Sequence, residues 1–421
     1  MTRFLQKAYP VLNIAFLLAN LVFQAVFFNT FFLNEGLNGD ERGYLSQLSG
    51  GHFSWSFISG SFSQPYTFLS SLLHLAIADP MLCNRLVSLI MGICLIAYLF
   101  FFFKKRKSAV FTEGNPFWDN VALLNILIAV ITIVRSHLVG TSDMTSTCFA
   151  VPGFIMLTEV ITKQAAARKL WVVGLLFALS FTARPTFLVV MLAFLIALLF
   201  FYRKTLWGKP LIVTGLFFML FTALINLYPL MEKGTITIDT KEIPESIGTS
   251  WFEMNYLMAK KWDSGALPRT QWLSDTDVMA FKKEHPDFVF PRNQFDLLAR
   301  EPGLYIRQMV RMGVISIYTS FRYLYLLFPF LLVFPFLKRR PGDQRRIAGF
   351  IAAFYVITLF LFMFFSVKMM EFRWMHILLA VFVFYAMHLI RMVPQKTRLL
   401  ILDGSFLTGT LFIFLALLRG V

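Results

Sequence analysis

The sequence predicts an all-α polytopic membrane protein of about eleven transmembrane helices, and three observations carry that reading. Apolar residues make up 57% of the 421 residues and charged residues only 15%, more apolar surface than a soluble core of this size can bury. Runs of about 20 apolar residues, long enough for a hydrocarbon core of about 30 Å, recur from Tyr9 to Leu418. Lysine and arginine gather in short clusters between those runs, so the net charge of +16 reads as a topology signal and not as a nucleic-acid surface. The alternation expected of a β-barrel is absent.

With Arg3 and Lys7 on the cytoplasmic side, span 1 (about 9–33) runs outward and is too long for a signal-peptide core. Lys104 to Lys107 return span 2 (about 84–103) to the inside, which leaves residues 34–83 outside. That outer loop includes a stretch from Tyr66 to Ala78, too short to cross and expected to lie along the membrane surface. Span 3 (about 117–135) leads out, and span 4 (about 144–161) returns to Lys163, Arg168 and Lys169. Ala183-Arg184-Pro185 interrupts the apolar region 170–202 and splits it into spans 5 and 6, joined outside at Arg184. Span 7 (about 211–230) opens onto a long polar segment ending near Arg311, and span 8 (about 313–336) returns to the basic cluster Lys338 to Arg346. Spans 9 (about 347–367), 10 (about 374–390) and 11 (about 399–418) complete the set. The chain thus divides into a transmembrane module over 1–230, an extracytoplasmic segment over 231–312, and C-terminal transmembrane helices over 313–421. Cys83, Cys94 and Cys148 lie in or beside apolar segments, with neither metal-ligand nor disulfide spacing.

This topology collects charge on the outer face. Asp40 and Glu41 stand side by side just after span 1, where a carboxylate could take a proton from a hydroxyl or cap a helix. Asp143 at the outer end of span 4 admits the same two roles. Arg85, Arg184, Lys368, Glu371, Arg373 and His376 fall at outer helix ends, with His137 in the second outer loop. A single cation at that depth snorkels to lipid phosphates; several on one face suggest a site. Magnesium or manganese bridging Asp40 and Asp143 would have suitable oxygen ligands, but two acids make no obligatory metal site. Trp251, Tyr256, Trp262 and Trp272 in the long outer segment could stack on sugar faces or form an interfacial belt.

The order of these elements resembles the GT-C type of membrane glycosyltransferase, in particular the bacterial protein O-mannosyltransferase and aminoarabinose transferase branch. The matching elements are Asp40-Glu41-Arg42-x-Tyr44, Gln64-Pro65-Tyr66, Asn84-Arg85-Leu86-Val87-Ser88, Asp143, Gly174 to Ala183 followed by Arg184-Pro185-Thr186-Phe187, and Arg373-Trp374-Met375-His376. The resemblance implies a multi-pass protein of the cell inner membrane, with an extracytoplasmic active site. There it would transfer a sugar from a polyprenyl-phosphate carrier to a glycan, lipid or protein acceptor. Asp40 would be the general base, with Glu41 and Asp143 as further catalytic acids, and the reaction would invert the anomeric centre. Arg85, Arg184, Lys368 and Arg373 would bind the donor phosphate, while Tyr44, Gln64, Tyr66, His137 and His376 would line the substrates.

Two other classes fit parts of this pattern. A transporter or flippase of lipid-linked sugars would use many spans and cations, but such proteins place charge at mid-membrane and often repeat internally, and no repeat is evident here. A polymerase or ligase of lipid-linked glycans would use the same outer arginines.

Overall fold

The computed structural model describes residues 2–34, 41, 43–45, 48, 58, 61, 63–105, 115–132, 137–162, 166–206, 209–234, 236, 248–268, 271–336, 342–365 and 372–418. Among these residues the regular elements are helical, with no strand. In chain order they are α1 (Thr2–Phe27, running on as a π-helical turn Phe28–Asn34), α2 (Gln64–His74), α3 (Pro80–Lys105), α4 (Pro116–Thr132), α5 (Asp143–Ile161), α6 (Leu170–Ala183), α7 (Phe187–Leu206), α8 (Lys209–Ile225) and α9 (Leu227–Lys233). A polar stretch contributes α10 (Trp251–Ser264), α11 (Asp275–Glu284) and α12 (Gln294–Arg300). The remainder forms α13 (Pro302–Leu324), α14 (Leu327–Val333), α15 (Gly342–Phe365), α16 (His376–Ile390) and α17 (Gln395–Leu418). Helix starts follow local chemistry. Pro80, Pro116 and Pro302 open helices where a missing amide is harmless, and Asp79 accepts hydrogen bonds from the Met81 and Leu82 amides at 2.9 and 3.2 Å.

Each of the eleven apolar runs read from the sequence contains helix, and among the described residues six helices are long and apolar enough to cross a membrane. A seventh candidate is the pair α13 and α14 with its terminal turn, bent by 115° at Tyr325 and Leu326, so the straight helix expected over 313–336 is interrupted, as in a broken span or a re-entrant loop. The helices over 116–129, 187–202 and 210–225 are apolar but shorter, and α6 has only 14 residues. Large apolar side chains such as Phe200, Met219 and Phe414 stay exposed on helix surfaces, as lipid-facing positions do in a membrane-embedded protein.

Packing places α5 and α16 at the centre. They are the most enclosed of the six long helices and lie against each other, α5 also packing closely on α6, which in turn packs on α8. Around them α1 pairs with α17, and α7 with α15. The bend at Tyr325 needs a close approach from α17: a Cβ on Gly409 would lie 2.4 Å from the Phe16 ring and 2.8 Å from the Tyr325 ring. Tyr325 itself has φ of 51°, an uncommon backbone state for a bulky residue, and its ring is fixed edge-on to Phe16 and stacked on Phe412.

The polar stretch builds its own small core from Tyr256, Leu257, Met258, Trp262, Val278, Phe290 and Leu297, completed by Leu304 and Tyr305 of α13. Ser250 and Ser274 each make a capping box, with Glu253 and Asp277. Of the four aromatics expected to stack on sugars or form a belt, Tyr256 and Trp262 are instead core residues; Trp251 and Trp272 are about half exposed.

Candidate functional site

Most of the described residues that the sequence reading assigns to the outer face converge on the N-terminal end of α5. Glu41 is buried and bound in a fork: its Oε1 accepts from Arg85 Nε at 3.0 Å and from the Gly140 amide at 2.6 Å, and its Oε2 accepts from Arg85 Nη2 at 3.2 Å. Arg85, on the first turns of α3 and 1% exposed, uses its remaining arm on the Phe32 carbonyl at 2.7 Å. So deep a charge is tolerable only with a bidentate partner. Gly140 is part of the fit, because a Cβ there would sit 3.0 Å from both Glu41 Oε1 and Asn84 Cβ.

Tyr44 is tied to the same turn. Its hydroxyl shares a 2.5 Å hydrogen bond with Ser142, the residue before α5, and its ring meets Tyr66 edge-on at 4.8 Å. Tyr66, on the surface helix α2 and fully buried, donates to the Asn84 carbonyl at 2.9 Å. Burial pushes its phenol well above the ordinary value, which keeps it in the protonated, hydrogen-bond-donating form. The Ser88 hydroxyl closes the ring of contacts by donating to the Thr141 carbonyl at 3.1 Å.

Asp143, the first residue of α5, joins two further segments. Its Oδ1 lies 3.0 Å from Arg184 Nε and its Oδ2 3.3 Å from Arg373 Nη1. Arg184 sits where α6 ends, held by its amide on the Ser180 carbonyl, and α5 and α6 are bolted together by reciprocal hydrogen bonds between Ser146 and Ser180 hydroxyls and carbonyls at 3.0 and 2.9 Å. Arg373 lies in the short turn that leads into α16. A carboxylate shared by two guanidiniums is a weak base and an obstacle to a dication. The magnesium or manganese bridge considered above would also need Asp40, which lies outside the described residues; among the described residues no group of three or more His, Cys, Asp and Glu could hold a metal ion.

The other expected residues are distributed around this centre. The Gln64 side-chain amide donates to Asn226 at 2.9 Å, while the neighbouring Ser63 hydroxyl donates to the Ala183 carbonyl at 2.9 Å and ties α2 to the end of α6. His137 is buried and shares a 2.9 Å hydrogen bond with Gln24 of α1. His376, the first residue of α16, is fully buried three positions beyond Arg373. Asp40, Lys368 and Glu371 lie outside the described residues. Sequence reasoning missed Gln24, Gly140, Ser142 and Asn226; Gln24 and Asn226 carried a readable signal, being polar residues in otherwise apolar runs.

No protein-family model, no curated protein and no solved structure matches the chain.

Proposed function

We propose that this chain is a membrane glycosyltransferase that moves a sugar from a polyprenyl-phosphate carrier to an acceptor at the outer face, with inversion. The reading assumes the eleven-span topology, with the N-terminus in the cytoplasm and the α5 N-terminal end outside. One observation supports it above all: charged residues from five separate segments meet at one end of the bundle, and two arginines share one acid there. An inverting displacement needs a base for the acceptor hydroxyl and positive charge for the departing phosphate. Arg184 and Arg373 supply that charge, and a phosphate can compete with Asp143 for them. Arg85 is fully used by Glu41 and the Phe32 carbonyl, so its role is to hold Glu41 and, through it, the backbone next to Asp40. Asp40 is the base.

The experiment compares donor and acceptor kinetics in Arg373→Ala. A charge-assisted phosphate contact contributes about 1.5 to 3 kcal/mol, so donor efficiency should fall by about tenfold or more while the acceptor KM holds. Unchanged donor kinetics in a folded variant would remove Arg373 from the site.

A further inference from the structure

A stripe of polar side chains runs along α1, at Tyr9, Asn13, Asn20 and Gln24. Their intervals of four, seven and four residues keep them on one helix face. On an apolar helix packed among apolar neighbours, each of these groups needs a hydrogen-bond partner. Three have one in the protein. The Tyr9 hydroxyl donates to Asp119 at 3.3 Å, the Asn125 amide donates to the Asn13 carbonyl and side chain at 3.0 and 3.3 Å, and Gln24 shares a 2.9 Å hydrogen bond with His137. Asn20 is the exception: it is 1% exposed, and its amide nitrogen is buried with no hydrogen bond.

Asn20 faces a cavity of about 30 Å³ enclosed by α1, α4, α13 and α17. Phe23, Tyr325 and Phe412 line it, together with Arg322 from the last turn of α13, just before the bend. Arg322 makes no hydrogen bond or ion pair among the described residues, and its guanidinium lies 5.8 Å from the centre of the Tyr323 ring. The dipole at the end of α13 favours a cation there but gives this side chain no hydrogen bond.

Two groups without partners therefore meet at one cavity, and they define its ligand. A guanidinium donates and cannot accept. Half a turn of the Asn20 amide exchanges its oxygen and nitrogen, and the orientation with nitrogen toward the cavity removes the orphaned N–H. Both groups then ask for an acceptor, and the unpaired charge of Arg322 makes that acceptor an anion. The cavity has about the volume of one liquid water molecule, which suits a halide ion and leaves no room for the four oxygens of a phosphate or sulfate.

We propose that Asn20 and Arg322 form a binding site for a single chloride ion, held behind the bend at Tyr325 between α1, α13 and α17. The bound ion neutralises Arg322 and fixes the end of α13 against α1. The site is independent of the sugar-transfer reading.

The test is thermal unfolding of the full chain in detergent, at constant pH and ionic strength, with sodium gluconate replaced stepwise by sodium chloride. A ligand that binds only the folded state raises Tm with its concentration, so wild type should gain several degrees in a saturable way in chloride and in bromide. Arg322→Gln should keep its fold, seen as a cooperative transition in gluconate, and lose the chloride-dependent gain. Arg322→Lys, which retains the charge, should retain part of it, and Asn20→Leu should need about tenfold more chloride for the same gain. An absence of any chloride-dependent gain in wild type, which would leave Arg322 to lipid phosphates at the membrane surface, or an undiminished gain in Arg322→Gln would overturn the proposal.

Discussion

The two ends of α5 handle charge in opposite ways. At Asp143 both carboxylate oxygens face guanidiniums within 3.3 Å, and at nearby Glu41 three donors take both oxygens. At Glu159 the same helix opens onto a cavity of about 280 Å³ that also holds an imidazole and a guanidinium. The charges at both ends are equally ionic, so the difference lies in what surrounds them. The acids at the Asp143 end are enclosed by the turn 137–142, by α2 and by the start of α16, all of which donate hydrogen bonds or charge, while Phe102, Phe103 and Phe384 line the other end. A closed charge network fixes geometry, as a reacting centre requires.

The comparison breaks most visibly at Arg85. Arg85→Ala leaves Glu41 buried without its fork, which should destabilise the protein by about 3 to 5 kcal/mol; a Tm within error of wild type would show that the outer network is not closed. Gly140→Ala is a gentler probe of the same closure. Its new methyl group would press on Glu41 Oε1 and Asn84 Cβ, at an expected cost of about 1 to 3 kcal/mol, and Gly140→Ser should cost more. Unaltered stability in both would mean that the turn gives way freely. At the other end Glu159→Gln should cost less than about 1 kcal/mol, because water in the cavity can re-pair the lining. A loss as large as that of Arg85→Ala would erase the contrast.

The smallest expected effect lies in the polar module. Burial raises the Glu301 pKa, but hydrogen bonds from Lys260 and Tyr256 more than offset it and hold the carboxyl below its usual range. A depressed folded-state value means that its contribution is complete above the unfolded carboxylate pKa and is lost as pH falls through the folded one. Wild type should therefore lose slightly more Tm than Glu301→Gln between neutral pH and the acid side of the carboxylate range. Parallel curves would show that the contact carries no linkage.

Much of the helix layout was legible because lipid imposes a single rule, a run of about 20 apolar residues bounded by polar ones. The rule located each apolar segment, and it passed over the bend at Tyr325, although Pro329, which can neither donate to nor pack against the carbonyl four residues before it, stands in the sequence as a signal for that break. The site was legible in part. Glu41, Arg85, Asp143, Arg184 and Arg373 stood out as charges beside apolar runs, yet their pairing depends on which helix ends become neighbours. Gly140 could not be read as a site residue, because its function is the absence of a side chain. The burial of Tyr256 and Trp262 was equally hidden, since an aromatic in a polar segment serves a core, a belt or a sugar with the same composition.

The central claim, that the closed end performs sugar transfer, is tested most directly by single-turnover transfer from a polyprenyl-linked sugar in Asp40→Asn, with Tm measured on the same preparation. Asn caps a helix about as well as Asp but accepts no proton at neutral pH, so the substitution separates a local structural role from a chemical one. The account predicts an unchanged Tm and a transfer rate lower by about a hundredfold or more. A stable Asp40→Asn protein that transfers sugar at nearly the wild-type rate would contradict it.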